Sequence, residues 1–134
     1  MEARNLTESD YEVLSEWWKW NRFPIPPKEV LPNMGLGGIM INDGLGNNIC
    51  SGFIYNTDSK LAWIEFIVAS PHIKDRDIRR KGQVFLIESL TNEARERGYL
   101  AVFASIKVES LIQRYIEAGY SADGLKATEL VIRL

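Results

Sequence analysis

Apolar residues near the start of the chain recur with a helical period. Tyr11, Leu14, Trp17 and Trp18 fall at spacings of three and four, which places them on one helical face. Thr7-Glu-Ser-Asp10 has capping-box spacing and predicts the start of that helix, which runs to about Trp20 after a short strand over Ala3 to Leu6. Pro24, Pro26 and Pro27 then forbid a continued helix. They favour an extended, exposed loop in which Pro27 to Val30 opens one short turn that Pro32 ends.

From Gly38 to Ile54 the pattern becomes that of a hairpin, with a turn rich in Asp, Gly and Asn from Asp43 to Asn48. Thr57 to Lys60 turns the chain again. Leu61 to Ala69 is nearly all apolar, as expected of a central strand covered on both faces, and Pro71 closes it. A long amphipathic helix follows from about Ile78 to Arg97, with Val84, Ile87, Leu90 or Thr91, and Ala94 on its inner face and Gly98 ending it. Leu100 to Ile106 predicts a strand, Leu111 to Ala118 a helix stopped by Gly119, and Thr128 to Leu134 a final strand. No repeat or internal linker interrupts this order, so residues 1–134 are expected to form one domain.

Composition narrows the chemistry. A chain of 134 residues with 46% hydrophobic and 25% charged residues supports one packed core. Met1 to Asp10 shows neither a secretory nor a transit signal, and no run resembles a membrane span, so a cytoplasmic protein is expected. Cys50 and His72 are the only residues of their kinds, which excludes an internal disulfide and leaves no cluster with zinc spacing. A net charge of -2 gives no general affinity for nucleic acid or acidic membranes, although Lys74 to Lys81 is locally basic. Gly35-Leu-Gly-Gly38 is read as a loop, since a strand rather than a helix follows it.

Two segments carry a family resemblance. Leu111-Ile-Gln-Arg-Tyr-Ile-Glu-Ala-Gly-Tyr120 resembles the Tyr-x-x-x-Gly-[Phe/Tyr] end of the last helix in GCN5-related N-acetyltransferases (GNATs), and the order of elements matches that family over nearly the whole chain. Arg79-Arg-Lys-Gly-Gln-Val84 is similar to the family's Arg/Gln-x-x-Gly-x-Gly/Ala phosphate loop. Val84 stands where a second small residue belongs, and the stretch Pro71 to Gly82 is longer than usual. These departures imply a divergent branch. Trp17-Trp18-Lys19-Trp20, the proline-rich loop, Leu31-Pro32 and Gly37-Gly38 look most like GNAT-like proteins carried by bacteriophages. The resemblance implies an α/β (α+β) fold, a mixed and mainly antiparallel sheet of about 6–7 strands flanked by about 3–4 helices.

The implied activity is transfer of an acetyl group from acetyl-CoA to an amine in a direct ternary complex, with no metal. A helix N-terminus is an anion seat, so Arg79, Arg80, Lys81 and Gly82, placed in a loop leading into the long helix, are expected at the pyrophosphate. The three cations could instead simply face solvent. Backbone N–H groups of Phe66, Ile67 and Val68 are expected to hold the pantetheine arm and polarise the thioester carbonyl, provided that strand splays from Leu100 to Ile106 as in the family. Tyr115 matches the family tyrosine that protonates the sulfur leaving group, a role that contributes about 10² to 10⁴ in rate. Glu65 could deprotonate the amine, directly or through water, or could merely pair with an arginine. An asparagine frequent in the family would fall near Val108 and is absent; Glu109 and Ser105 are substitutes, Ser105 being placed with the cofactor. The acceptor is expected near Trp17 to Pro27, and the resemblance allows a homodimer. Two further readings remain open: a GNAT fold that lost catalysis and acts as a binding or scaffolding module, and a module that binds acyl-CoA without turnover.

Overall fold

The computed structural model describes residues 1–134. Strand β1 (Glu2–Asn5) leads into helix α1 (Asp10–Trp20), and two 3₁₀ turns, Lys28–Val30 and Pro32–Gly35, carry the chain to strands β2 (Gly38–Asn42), β3 (Asn48–Tyr55) and β4 (Leu61–Ala69). Helix α2 (Arg76–Glu96), strand β5 (Ala101–Phe103) and helix α3 (Glu109–Glu117) complete the regular structure. The strands lie in chain order in one five-stranded sheet. All neighbours are antiparallel except β4 and β5, which are parallel because α2 crosses over between them.

Neighbouring residues on the strands point to opposite faces, and each face has its own core. Ile41, Ile54, Ile64 and Ala62 pack with Leu86, Ile87 and Leu90 of α2 and Tyr115 of α3. Met40, Phe53 and Val68 pack on the other side with Leu14, Trp17 and Trp18 of α1. The result is three layers, with β3 buried on both faces. Two glycines let the layers approach. A Cβ on Gly82 of α2 would lie 2.6 Å from Ile49 Cγ2, and one on Gly52 of β3 would lie 3.2 Å from Leu90 Cδ1.

The entry to α1 differs in detail from the expected capping box. Helix α1 begins at Asp10, whose carboxylate reaches back to accept the Thr7 N–H at 2.7 Å and the Thr7 hydroxyl at 3.1 Å. The same carboxylate takes both guanidinium ends of Arg4, at 2.8 and 2.9 Å, which ties β1 to α1. Asp10 is buried, and the Arg4 hydrogen bond holds its pKa below the usual carboxylate value. At the β2–β3 turn, Asp43 Oδ1 accepts from Leu45 N–H at 2.7 Å, with Gly44 and Gly46 at positive φ.

Three expectations are corrected. The sheet has five strands rather than six or seven, because Thr128–Leu134 forms no strand and β5 spans only Ala101–Phe103 of the expected Leu100 to Ile106. Helix α2 starts at Arg76, before Ile78, because Asp75 caps it: its Oδ1 accepts from Asp77 N–H at 2.9 Å and Ile78 N–H at 3.3 Å. Consequently Arg79, Arg80, Lys81 and Gly82 are helical residues and not a loop ahead of the helix.

Candidate functional site

Pairing between β4 and β5 is short. Leu61, Ala62 and Trp63 face Ala101, Val102 and Phe103, and there β5 stops while β4 continues to Ala69. The β4 edge beyond Trp63 therefore lacks a strand neighbour on the β5 side. Just past it β4 carries a bulge: Ser51 pairs with Val68 and Phe53 with Glu65, so Phe66 and Ile67 together oppose Gly52. Phe66 sits at φ 57, a left-handed conformation rare for an aromatic residue. The strained backbone is held by its ring, which packs against Trp18, Phe23 and Tyr55 with centroids 6.2–6.3 Å away.

Tyr115 projects from α3 into the core on the α2 side, 4% exposed, with its ring edge-on to Tyr120 at 5.0 Å. Its hydroxyl is buried and has no hydrogen-bond partner, whereas the Tyr120 hydroxyl is satisfied by Thr91 Oγ1 at 2.6 Å. Burial, with smaller contributions from Tyr120 and Glu65, pushes the Tyr115 phenol well above its ordinary pKa. Glu65 is half-buried on β4, and its Oε1 accepts from the Trp63 indole N–H at 2.7 Å. Burial raises the Glu65 pKa; the Trp63 bond acts against that rise. Trp63, two residues away and so on the same face of the strand, was legible as a partner from the period of two but carries no signal of its own.

The residues of the expected phosphate seat have partners within the chain. Arg79 donates to the carbonyls of Ser70 at 2.8 Å and Ile73 at 3.0 Å, clamping the β4–α2 connection. Arg80 pairs with Glu117 at 3.0 Å and Asp77 at 3.2 Å, and Lys81 with Asp77 at 2.9 Å. Gly82 is buried under Ile49, where its missing side chain serves packing. Val84 lines a depression of about 270 Å³ between α2, α3 and Met1, away from the helix start. At the true start of α2, Lys74 and Arg76 make no ion pair, and with Trp20, Asn21 and Pro71 they line an open depression of about 270 Å³. Lys74 Nζ lies 6.0 Å from the Trp20 ring centroid. The first-turn N–H groups of Asp77 and Ile78 already bond Asp75. Any anion here is thus met by side-chain cations rather than by a bare helix terminus.

Of the other expected positions, Ser105 lies past the end of β5, half-buried, and Glu109 opens α3, where it accepts from Gln113 at 3.0 Å. In the expected acceptor region Trp17 and Trp18 are core, while Trp20 and Phe23 are exposed. The Tyr11 hydroxyl donates to Pro26 O at 2.8 Å and pins the proline loop over α1.

No family model matches the sequence, and no curated protein does. Solved structures match in fold. A single-residue mutant of TTHA1254 from Thermus thermophilus superposes with a TM-score of 0.74 at 12% identity, covering 100% of this chain and 99% of that one. Rv2747 from Mycobacterium tuberculosis, solved in complex with CoA, gives 0.62 at 16% identity over 86% of this chain and 70% of that one. Glucosamine-6-phosphate N-acetyltransferase from Arabidopsis thaliana gives 0.57 at 16% identity over 96% and 97%. The chain therefore has the GNAT-like fold. No helix is long and apolar enough to cross a membrane.

Proposed function

We propose that this chain is an acyl-CoA-dependent N-acyltransferase, with acetyl-CoA as its donor and an amine, still to be identified, as its acceptor. The observation that carries the reading is the buried Tyr115 hydroxyl with no partner inside the protein. A buried donor left unbonded costs about 1–3 kcal/mol, which a ligand atom arriving at the hydroxyl would recover. The likeness in fold to an N-acetyltransferase and to Rv2747, which was solved in complex with CoA, supports the same reading.

Bound there, the cosubstrate would supply an acyl group activated as a thioester. The residues of this chain would do the rest. The open β4 edge at Phe66, Ile67 and Val68 offers backbone N–H groups for the arm and the carbonyl oxygen. Glu65, its pKa raised by burial, takes a proton from the amine directly or through water as the C–N bond forms. Tyr115 stabilises the sulfur as the C–S bond breaks. Because burial raises the phenol above any ordinary thiol, full transfer of its proton would be uphill, so its role is a hydrogen bond to the developing thiolate that ends in protonation from solvent. Lys74 and Arg76, the unpaired cations beside Trp20, replace Arg79 to Gly82 as the diphosphate contacts.

One observation favours a second reading, a fold kept for binding after catalysis was lost. Asp75 and Asp77 occupy the first turn of α2 and Arg80 and Lys81 are spent on internal pairs, so the usual anion seat is closed. Thermal unfolding with and without acetyl-CoA and free CoA separates the two. Ligand at roughly a hundred times its dissociation constant adds about 2.7 kcal/mol and raises the midpoint by several degrees. The shift should vanish in Lys74→Glu/Arg76→Glu, both exposed substitutions, and persist in Lys81→Glu. No shift at millimolar ligand would overturn the acyltransferase reading and leave the binding module.

A further inference from the structure

On the α1 face of the sheet a row of aromatic rings runs across β3, β4 and β5. Tyr55 pairs with Trp63, and Trp63 with Phe103, so these side chains share a face. The Trp63 and Phe103 rings meet with centroids 6.0 Å apart, yet neither residue belongs to the core on either side of the sheet, and Phe103 is 53% exposed. The next row along β4 holds Glu65, opposite Phe53 of the α1-side core. A residue two along a strand is about 7 Å away, so one small molecule can reach from the carboxylate to the rings.

The charge at this place has one sign. Trp63 Nε1 donates to Glu65 Oε1 at 2.7 Å, while Glu65 Oε2 is bonded by no side chain and is not sealed from solvent. No lysine or arginine pairs with Glu65, and the other charge that acts on it, Glu129, is also a carboxylate. The Tyr55 hydroxyl is engaged with Val30 O at 2.7 Å, so that end of the row presents a ring rather than a donor. The face therefore favours a cation at Glu65 and an apolar body on Trp63 and Phe103, and it offers nothing to an acid.

We propose that the acceptor is an arylalkylamine without a carboxylate or phosphate, its ammonium paired with Glu65 and its ring lying on Trp63 and Phe103. The inference rests on the acyltransferase reading in taking Glu65 as the group that meets the amine. A flat body is selected over a flexible one because rings stack on rings with little loss of rotamer freedom. An aliphatic polyamine would set its second ammonium along the aromatic row, where no carboxylate stands.

Isothermal titration of the whole chain with phenethylamine, phenylalanine and spermidine, CoA being present throughout, tests this. Phenethylamine is expected to bind about tenfold or more tightly than either, phenylalanine losing by its carboxylate and spermidine by having no ring. Phe103→Ser, an exposed change at the sheet edge, should weaken phenethylamine by about tenfold and spermidine hardly at all, whereas Glu65→Gln should weaken both. Phenylalanine or spermidine bound as tightly as phenethylamine, no binding of phenethylamine at millimolar concentration, or indifference to either variant would overturn the inference. Release of CoA from acetyl-CoA, followed as free thiol, separates it from the reading it rests on. Phenethylamine bound but not acetylated would sink the acyltransferase alone; turnover of spermidine or phenylalanine but not of phenethylamine would sink this inference alone.

Discussion

Residues 1–96 and residues 97–134 solve the problem of burial differently. In the first region two helices cover opposite faces of four antiparallel strands, and apolar side chains meet other apolar side chains of the same chain. In the second, β5 has three residues, α3 has nine, and the rest follows no regular structure. Of the 28 buried residues only Tyr115 lies beyond Ala94, and it is the one whose hydroxyl has no partner. Large apolar residues of the second region, among them Leu100, Leu130 and Ile132, stay in solvent. The contrast teaches that the first region holds nearly all of the fully buried core, while the second packs against it mostly with partly buried side chains and leaves several large apolar ones in solvent.

The sharpest way to break this contrast is Tyr115→Phe. If Tyr115 works on a ligand, the turnover rate should fall by about 10² to 10³, as for the loss of one donor to a developing anion, while stability stays level or rises slightly, because an unbonded buried hydroxyl is removed. Acyl-transfer kinetics and chemical denaturation of the same preparation check both halves; a stability loss without a rate loss would return Tyr115 to the scaffold. Next in size, Leu90→Ala should cost about 2–5 kcal/mol in urea unfolding through the cavity it leaves between α2 and β3, whereas Leu130→Ala should change monomer stability by less than about 0.5 kcal/mol. Equal costs would mean that the second region is packed after all. The smallest effect concerns the link within the scaffold between β1 and α1. Asp10 is held below its ordinary pKa of 3.8 by Arg4, so its contribution is present above about pH 4 and is lost as pH falls through the lower folded value. Asp10→Asn should therefore lower stability at pH 6 by on the order of 1–3 kcal/mol and flatten the acid limb of a stability–pH curve, because the bonds removed are to a charged group.

The scaffold was legible because its signals are local. The three- and four-residue spacing of Leu14, Trp17 and Trp18, the Asp-Gly-Asn turn after Asn42 and the apolar run of β4 each specify an element from a few neighbouring residues. Tyr115, placed by its motif in the last helix, lies in the core on the α2 side, while Glu65 is half-buried on the strand position next to Ile64, which faces α2. Arg79 to Gly82 were expected in a loop because they are similar to the family's phosphate loop, while the cap that begins the helix, Asp75, is an ordinary charged residue in a charged run. Lys74 and Arg76 carried no sequence signal separating them from Arg79 to Lys81, since pairing with Asp77, Glu117 and two carbonyls appears only once α2 and α3 are packed.

What the sequence alone determined is the order and kind of the elements up to α3 and the tyrosine that closes the series. Tertiary structure decided the rest: that β4 and β5 part after Trp63, that Phe66 is forced to positive φ by one extra residue in the β3–β4 ladder, and that Thr128–Leu134 finds no strand neighbour in its own chain. The physical reason is range. Helix periods, turns and caps are settled by residues within a few positions of one another, whereas strand register and the satisfaction of a buried hydroxyl depend on groups far apart in sequence.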